Sequence, residues 1–183
     1  KTPFIISTAS VVGKKEGEGP LKDCFDVIGQ DEKFGEENWE AAESALQKEA
    51  LALTFSKINC KSSDVRYLFA GDLLGQTIAS SFGLKEFEIP MFGLYGACST
   101  CGETLSLGAM LLGGGFAKNV MCVTSSHFAS AEKEFRFPME YGGQRPPCAT
   151  RTVTGSGAFL LSTEQNPESK ALITGVTSGK IVD

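Results

Sequence analysis

Two cysteines three positions apart, Cys98 and Cys101, are the first residues in this chain whose type and spacing suggest chemistry. They lie in the stretch GACSTCGE, where an apolar, strand-like run gives way to a helix-like one. A thiol at the start of a helix is favoured as a thiolate, because unpaired backbone amides and the positive end of the helix dipole stabilise negative charge. Small neighbouring side chains leave the sulfur accessible. This pattern is typical of a cysteine nucleophile, and equally of close helix packing without chemistry.

Other uses of this cysteine pair fit less well. A structural zinc site takes four ligands, usually in two close pairs, and the chain has no second pair. A redox CxxC fits the spacing, but the chain shows no compact redox domain around it. Acyl transfer by Cys98 would need a base, and the single histidine, His127, is the available one. His127 is also consistent with a polar loop residue that has no catalytic role. We predict neither a metal nor a cofactor.

A second candidate group is a cluster of arginines that follows the cysteines. Three of the four arginines, Arg136, Arg145 and Arg151, lie within a stretch of 16 residues. Arginine suits two-point recognition of a carboxylate or phosphate, although each of these residues also fits an ordinary surface charge. We expect one of the three to touch a ligand.

The composition indicates one globular domain that must position these residues. The chain has 183 residues, of which 42% are hydrophobic, so it can bury a sizeable core. The net charge of −5 argues against a basic surface for nucleic acid. No apolar run approaches the roughly 18 residues of a membrane span. The scattered cysteines favour a reducing compartment over a disulfide scaffold.

The hydrophobic pattern predicts alternating strands and helices. Strands are predicted at residues 4–9, 65–70, 89–94, 119–124 and 158–162. Helices are predicted at residues 36–57, where Glu and Lys separate the apolar positions, and at 72–82 and 99–112. This alternation predicts an α/β fold with a mostly parallel five-stranded sheet and helices on both faces. Ligands of such sheets bind beyond the carboxyl ends of the strands, where Cys98, His127 and the arginine segment would meet.

Several runs of sequence resemble a known superfamily. The run GLYGACSTCGETLSLGAMLLGGGFAKNVMCVTSSH resembles the nucleophile region of the thiolase superfamily, and VTGSGAFLLS resembles the strand that closes the first half of that fold. AEKEFRFPMEYGGQRPPCATRTVTGSGA and FAGDLLGQTIASSFGL extend the likeness to the stage V sporulation protein AD family, over nearly the whole chain. The resemblance implies a fold of two βαβαβαββ halves, of which residues 1–183 would form the N-terminal one. The catalytic histidines and second cysteine of thiolases belong to the other half, so the resemblance implies no complete catalytic set in this chain.

The resemblance also implies a function. The family is similar to acyl-condensing enzymes but is regarded as a non-enzymatic binder of dipicolinic acid (pyridine-2,6-dicarboxylate). It moves this ligand, with calcium, into the spore during sporulation and out at germination, together with other stage V sporulation proteins. The implied location is the spore, peripheral to the inner membrane. The implied structural partner is the missing C-terminal half or a second copy of the chain.

A dicarboxylate on an aromatic ring needs hydrogen-bond donors, cations and an apolar or stacking wall. With the resemblance, this predicts a ligand site made of Cys98, Cys101, His127, Phe135, Arg136, Tyr141, Arg145 and Arg151. The cysteines would form the floor, the arginines would meet the carboxylates, and the histidine and rings would supply a donor and ring contacts. Two alternatives stay open: a thiolase-like acyltransferase with Cys98 as nucleophile, and a scaffold that contacts partner proteins through residues 13–35 or 36–57.

Overall fold

The computed structural model describes residues 1–135, 148 and 150–182 of the chain. Within these residues, the strands are β1 (Phe4–Val12), β2 (Val27–Ile28), β3 (Tyr67–Gly71), β4 (Met91–Leu94), β5 (Asn119–Ser126), β6 (Gly155–Ser162) and β7 (Ala171–Leu172). The α-helices are α1 (Trp39–Ser56), α2 (Ile78–Leu84), α3 (Thr100–Gly113) and α4 (Phe128–Phe135). The strands form one sheet in the order β2-β1-β6-β5-β3-β4, with β7 paired to β1.

The sheet is mixed and has seven strands among the described residues, which corrects the prediction of a mostly parallel, five-stranded sheet. β3 runs parallel to β4 and β5, and β1 runs parallel to β2. β6, however, is antiparallel to both of its neighbours, β1 and β5. The register pairs Ser126 with Gly155, so the chain leaves β5 and enters β6 at the same end of the sheet. A strand entered in this way must run backwards, whereas a crossover helix would have returned the chain to the other end.

Alternate residues of the central strands point to opposite faces of the sheet, and each face has its own core. On the α1 face, Leu68, Met121 and Leu160 belong to one buried cluster. Their sequence neighbours Phe69, Cys122 and Leu161 belong to the cluster on the α3 face. The continuous apolar runs of β3, β5 and β6 therefore reflect burial on both sides.

Helix α1 covers the first of these faces. It begins after Asn38, whose side-chain oxygen accepts a hydrogen bond from the N–H of Ala41 at 2.8 Å, as an N-cap residue does. Its buried face carries three polar residues, Glu43, Gln47 and Thr54, all 0% exposed. The sequence pattern predicts that the charged residues of this helix lie between its buried apolar positions. Glu43 differs from this prediction because it is itself buried.

Helix α3 approaches the other face closely because of a glycine. A Cβ at Gly108 would lie 2.9 Å from Leu161 Cδ1 and 3.0 Å from Cys122 Sγ. A second glycine, Gly71 at the end of β3, allows the backbone of Leu94 and the side chain of Thr100 to come close. These two glycines set the position of the first turn of α3 relative to the ends of β3 and β4.

Candidate functional site

A cavity of about 470 Å³ opens at the end of the sheet where β3, β4 and β5 finish and β6 begins. Its lining comprises Asp72 and Leu73 after β3, Ala97, Cys98, Thr100 and Cys101 at the start of α3, Thr124, Ser125 and Ser126 in β5, and residues 150–153, 155 and 157 around the start of β6. We call it the Cys98 cavity. It lies at the strand ends where the topology predicts a ligand.

The turn that presents Cys98 is held by local hydrogen bonds. The hydroxyl of Ser99 donates to the carbonyl of Gly96 at 2.7 Å, and the Gly96 N–H donates to Thr100 Oγ1 at 3.0 Å. Ala97 has a φ of 49°, in the left-handed region that side chains other than glycine rarely adopt. Cys98 follows it, is exposed, and lies two residues before the first residue of α3. Its thiol therefore lies near the positive end of the dipole of a 14-residue helix, while the N–H groups of Ser99 and Thr100 already donate to the carbonyls of Gly96 and Ala97.

Cys101 lies in the first turn of α3 and also lines the cavity. It is half-buried, and both it and Cys98 are free thiols. The structure thus brings both predicted cysteines to the same wall. The carbonyl of Cys101 accepts a hydrogen bond from Thr104 Oγ1 at 2.8 Å, within the helix.

Arg151 is the predicted arginine that the structure places in the cavity lining. Its guanidinium carbon lies 4.1 Å from the centre of the Phe128 ring, and its Nη2 lies 3.5 Å from Glu32 Oε1. The side chain is 23% exposed, and its Nε has no hydrogen-bond partner in the described part of the chain. The cation is thus fixed by a ring and a carboxylate, and its Nε is buried rather than exposed to the cavity. Arg136 and Arg145, with Tyr141, lie outside the described residues.

His127 lies behind the cavity rather than in its lining. It is fully buried, and its ring packs against Trp39 and Phe128 with centroid distances of 5.4 and 5.1 Å. Nδ1 accepts the N–H of Ala129 at 3.1 Å, so Nε2 carries the proton and donates to the carbonyl of Glu32 at 2.7 Å. Burial lowers the pKa of His127, which favours the neutral ring.

Phe135 lies at the end of α4 and is exposed, outside the cavity lining. The described residues therefore bring together Cys98, Cys101 and Arg151 from the predicted set. His127 supports the same region from behind, through its contact with Phe128 under the guanidinium of Arg151.

A buried polar network lies beneath the cavity, and the sequence pattern did not indicate it. Glu43 Oε1 accepts a hydrogen bond from Ser125 Oγ at 2.9 Å, and Oε2 accepts one from Ser130 Oγ at 2.5 Å. Gln47 Nε2 lies 2.8 Å from Ser125 Oγ and 3.0 Å from Ser80 Oγ. We call these residues, with Asp72, the Glu43 network.

Asp72 closes the Glu43 network at the side of the cavity. Its Oδ2 accepts from the hydroxyl of Ser80 at 2.6 Å and from the Ser80 N–H at 2.8 Å, while Oδ1 accepts the N–H of Leu74 at 2.9 Å. These donors compensate its negative charge within the fold. Ser125 and Asp72 belong both to the network and to the lining of the cavity.

Burial dominates the electrostatics of Glu43. It raises the pKa of this carboxyl from 4.5 to about 7, because the charged form loses its hydration. The charge of Asp72 acts in the same direction, while the hydroxyls of Ser125 and Ser130 oppose it. A sequence signal for Glu43 did exist: it lies four residues after Trp39 and three before Leu46, on the buried side of the helix.

Two further properties of the chain bear on the site. In residues 1–135, 148 and 150–182, no group of three or more His, Cys, Asp or Glu side chains is arranged to hold a metal ion. Over the same residues, no helix combines the length and the apolar character that a membrane crossing requires. The groups that line the cavity are thiols, hydroxyls, a guanidinium and the carboxylate of Asp72.

Solved structures with the same architecture define the class. The chain matches 3-oxoacyl-[acyl-carrier-protein] synthase III from Aquifex aeolicus VF5 with a TM-score of 0.63 and 14% identity, over 91% of this chain and 55% of that one. It matches germicidin synthase from Streptomyces coelicolor, a type III polyketide synthase, with a TM-score of 0.64 and 11% identity, over 95% and 63% of the two chains. The fold is therefore thiolase-like, as the resemblance implied; similarity at this level shows the fold alone.

The sequence comparisons then give the family. The family model of stage V sporulation protein AD matches residues 1–183. Stage V sporulation protein AD of Bacillus subtilis (strain 168) is 42% identical over 180 residues, which cover 98% of this chain and 52% of that protein. The chain belongs to the stage V sporulation protein AD family, and its role is in sporulation. It spans about half the length of the curated relative that it matches.

Proposed function

We propose that the Cys98 cavity binds dipicolinic acid, for transport of this compound into the spore during sporulation and its release at germination. The observation that carries the proposal is the convergence of a helix start, Arg151 and several hydroxyls on one cavity of about 470 Å³. Cavities of a few hundred Å³ with a small number of convergent polar groups are typical of small-molecule sites. Membership of a sporulation family supports this choice of ligand.

The ligand fits the chemistry of the cavity wall. A carboxylate is stabilised by the positive end of a helix dipole, and the start of α3 lies beside Cys98. The second carboxylate of the ring compound is matched by the guanidinium of Arg151, which lines the same cavity and is partly exposed. The hydroxyls of Ser125 and Ser126 border the space between them.

The proposal extends to partners. Ligand carboxylates are the oxygen donors that Ca²⁺ prefers, so calcium would accompany the ligand as its counter-ion. The chain would act with other stage V sporulation proteins at the inner spore membrane. An apolar cavity of about 360 Å³ beside α3, with exposed Phe92, Met110 and Phe116, supports pairing with a second half-domain or a second copy of the chain.

Titration calorimetry with dipicolinate tests the proposal. We expect saturable heat for the wild-type protein and at least about tenfold weaker binding for Arg151→Gln, since a charged hydrogen bond contributes about 1.5–3 kcal/mol. Arg66→Gln is the matched control, because Arg66 lies over the Tyr67 ring and borders a different cavity. Absence of saturable heat would refute the proposal. Equal affinities for the Arg151 and Arg66 variants would exclude the Arg151 contact.

A second candidate function is acyl transfer by Cys98, and the position of this exposed thiol at a helix start supports it. Mass spectrometry after incubation with acetyl-CoA would then show an acyl group on Cys98 that is absent in Cys98→Ala. An unmodified Cys98, under conditions that acylate a control enzyme of the same fold, would argue against this function.

A further inference from the structure

Ser125 faces two environments at once. It lines the Cys98 cavity, and its hydroxyl lies 2.9 Å from Glu43 Oε1 and 2.8 Å from Gln47 Nε2. A serine hydroxyl has one hydrogen and two acceptor lone pairs. When Glu43 is ionised, the hydrogen of Ser125 must point to the carboxylate, because a carboxylate can only accept. Gln47 Nε2 also lies 3.0 Å from Ser80 Oγ and 3.1 Å from the carbonyl of Gly71, and Ser125 Oγ is the nearest of these three acceptors. Gln47 thus occupies one lone pair of Ser125, which can offer the cavity only an acceptor.

We propose that occupation of the Cys98 cavity by a dicarboxylate is coupled to uptake of one proton by Glu43, and that Ser125 is the residue that couples them. The proton passes from solvent to the Glu43 carboxylate, whose new O–H donates to Ser125 Oγ. The hydroxyl hydrogen of Ser125 then turns toward the cavity and donates to a carboxylate of the ligand. No covalent bond of the ligand changes. This inference rests on the proposed function of the cavity and adds the regulation of that site.

When an anion is bound in the cavity, the hydrogen bonds of Ser125 favour the protonated form of Glu43. Ser125 then accepts from Gln47 and from Glu43 and donates to the ligand, so its hydrogen and both lone pairs are used. Glu43 Oε2 continues to accept from Ser130. With Glu43 ionised, a carboxylate in the cavity would instead meet a lone pair of Ser125, with a second buried negative charge behind it.

The free energy of proton uptake is small near neutral pH. Glu43 is 0% exposed, and burial already raises its pKa to about 7. A ligand carboxylate on the other side of Ser125 is a further like charge, which favours the neutral form of Glu43 still more. At pH 8 we therefore expect an ionised Glu43 in the free protein and a protonated one in the complex.

The other ionisable groups around Glu43 do not substitute for it. Of the elements that pack against α1, neither α2, β1 nor β6 carries an ionisable side chain. The remaining neighbours carry the ionisable side chains of Asp72 after β3, Cys122 in β5, His127 before α4, and Glu132, Lys133 and Glu134 in α4. Helix α1 itself carries Glu40, Lys48 and Glu49 besides Glu43. Lys133 is paired with Glu40 at 2.6 Å, and Glu134 accepts the N–H of Gly75 at 3.0 Å. Burial raises the pKa of Cys122 and lowers that of His127.

Calorimetric titration of dipicolinate at pH 8, in buffers with different ionisation enthalpies, measures the protons taken up on binding. We expect the wild-type protein to take up most of one proton, and its affinity to fall by up to tenfold for each pH unit above about 7. Glu43→Gln should bind without proton uptake and with an affinity that does not change with pH, since the amide can donate to Ser125 permanently. Glu40→Gln is the control and should behave like the wild type.

A second variant keeps the test decisive should Glu43→Gln fail to fold. Ser125→Ala retains Glu43 but removes the coupling hydroxyl, and we expect weaker binding without the proton uptake of the wild type. Dipicolinate binding with no proton uptake, or with uptake that survives Glu43→Gln, would overturn the coupling while leaving the binding function intact. Absence of dipicolinate binding to the wild-type protein would overturn both.

Discussion

Replacing Glu43 by glutamine should stabilise the protein at alkaline pH and change its stability little at acid pH. The buried carboxyl has a pKa of about 7 in the folded protein against 4.5 ordinarily. A raised pKa means that the fold favours the protonated form, so stability is fully present below pH 4.5 and is lost as the pH rises through 7. The whole difference corresponds to about 3 kcal/mol in the free energy of unfolding. Glutamine resembles the protonated acid in shape and avoids this loss.

Urea unfolding at pH 5 and pH 8 measures the effect, with the fluorescence of Trp39, the single tryptophan, as the probe. We expect the variant to exceed the wild type by about 3 kcal/mol at pH 8 and by less than about 1 kcal/mol at pH 5. His127 also contributes to the pH dependence, because its lowered pKa makes the fold less stable as the pH falls. Both proteins share that contribution, so the difference between them isolates Glu43.

Glu40→Gln is the matched control on the same helix. The hydrogen bond from Lys133 lowers the pKa of the Glu40 carboxyl, so its contribution is present at high pH and is lost on acidification. This variant should therefore gain no stability at pH 8. A Glu43→Gln protein that is no more stable than the wild type at pH 8 would refute the reasoning, since it would mean that Glu43 is ionised in the fold at no cost.

Three further expectations concern the core and the thiols. Gly108→Ala should destabilise the fold by about 1–3 kcal/mol, because its methyl group would press on the packed face of β5 and β6. Gly102→Ala, in the same helix with open space around it, should stabilise the fold by up to about 1 kcal/mol; equal effects in urea unfolding would contradict the packing described for α3. Iodoacetamide should label exposed Cys98, and dipicolinate should slow this labelling but not that of exposed Cys24, as peptide mass spectrometry would show. Equal protection of both thiols would count against a ligand in the cavity. His127→Ala should cost at least about 1–3 kcal/mol, because the part-buried hydrogen bond to the Glu32 carbonyl is lost; an unchanged urea midpoint would disprove that contact.

Much of the sheet could be predicted from the sequence, and the direction of β6 could not. β3 and β5 are short, continuous apolar runs, a pattern that burial on both faces produces. The direction of β6 depends on whether the chain crosses the sheet between residues 126 and 155, and no local pattern encodes that path. The two-residue strands β2 and β7 are too short to leave a period.

In the candidate site, too, some features could be predicted from the sequence and others could not. The position of Cys98 could be predicted because small residues between a strand and a helix are visible in the sequence. Glu43 has helical spacing to Trp39 and Leu46, but the residue type opposes that signal, because a glutamate in an amphipathic helix normally faces solvent. Its burial depends on Ser125 and Ser130, which are 82 and 87 residues away in the chain. Likewise, only the folded structure shows that both ring nitrogens of His127 already have partners.

The place of β6 between β1 and β5 has a consequence for how the protein is made. β1 pairs with β6 from Phe4–Ser162 to Val12–Gly155, and it reaches the rest of the sheet through β6. During synthesis at about 5–20 residues per second, the roughly 140 residues between these strands take about 7–28 s to emerge. Throughout that interval the apolar run of β1 has no partner in the main sheet and is exposed to aggregation. Emergence of β6 from the ribosome is therefore the event that joins the two parts of the sheet.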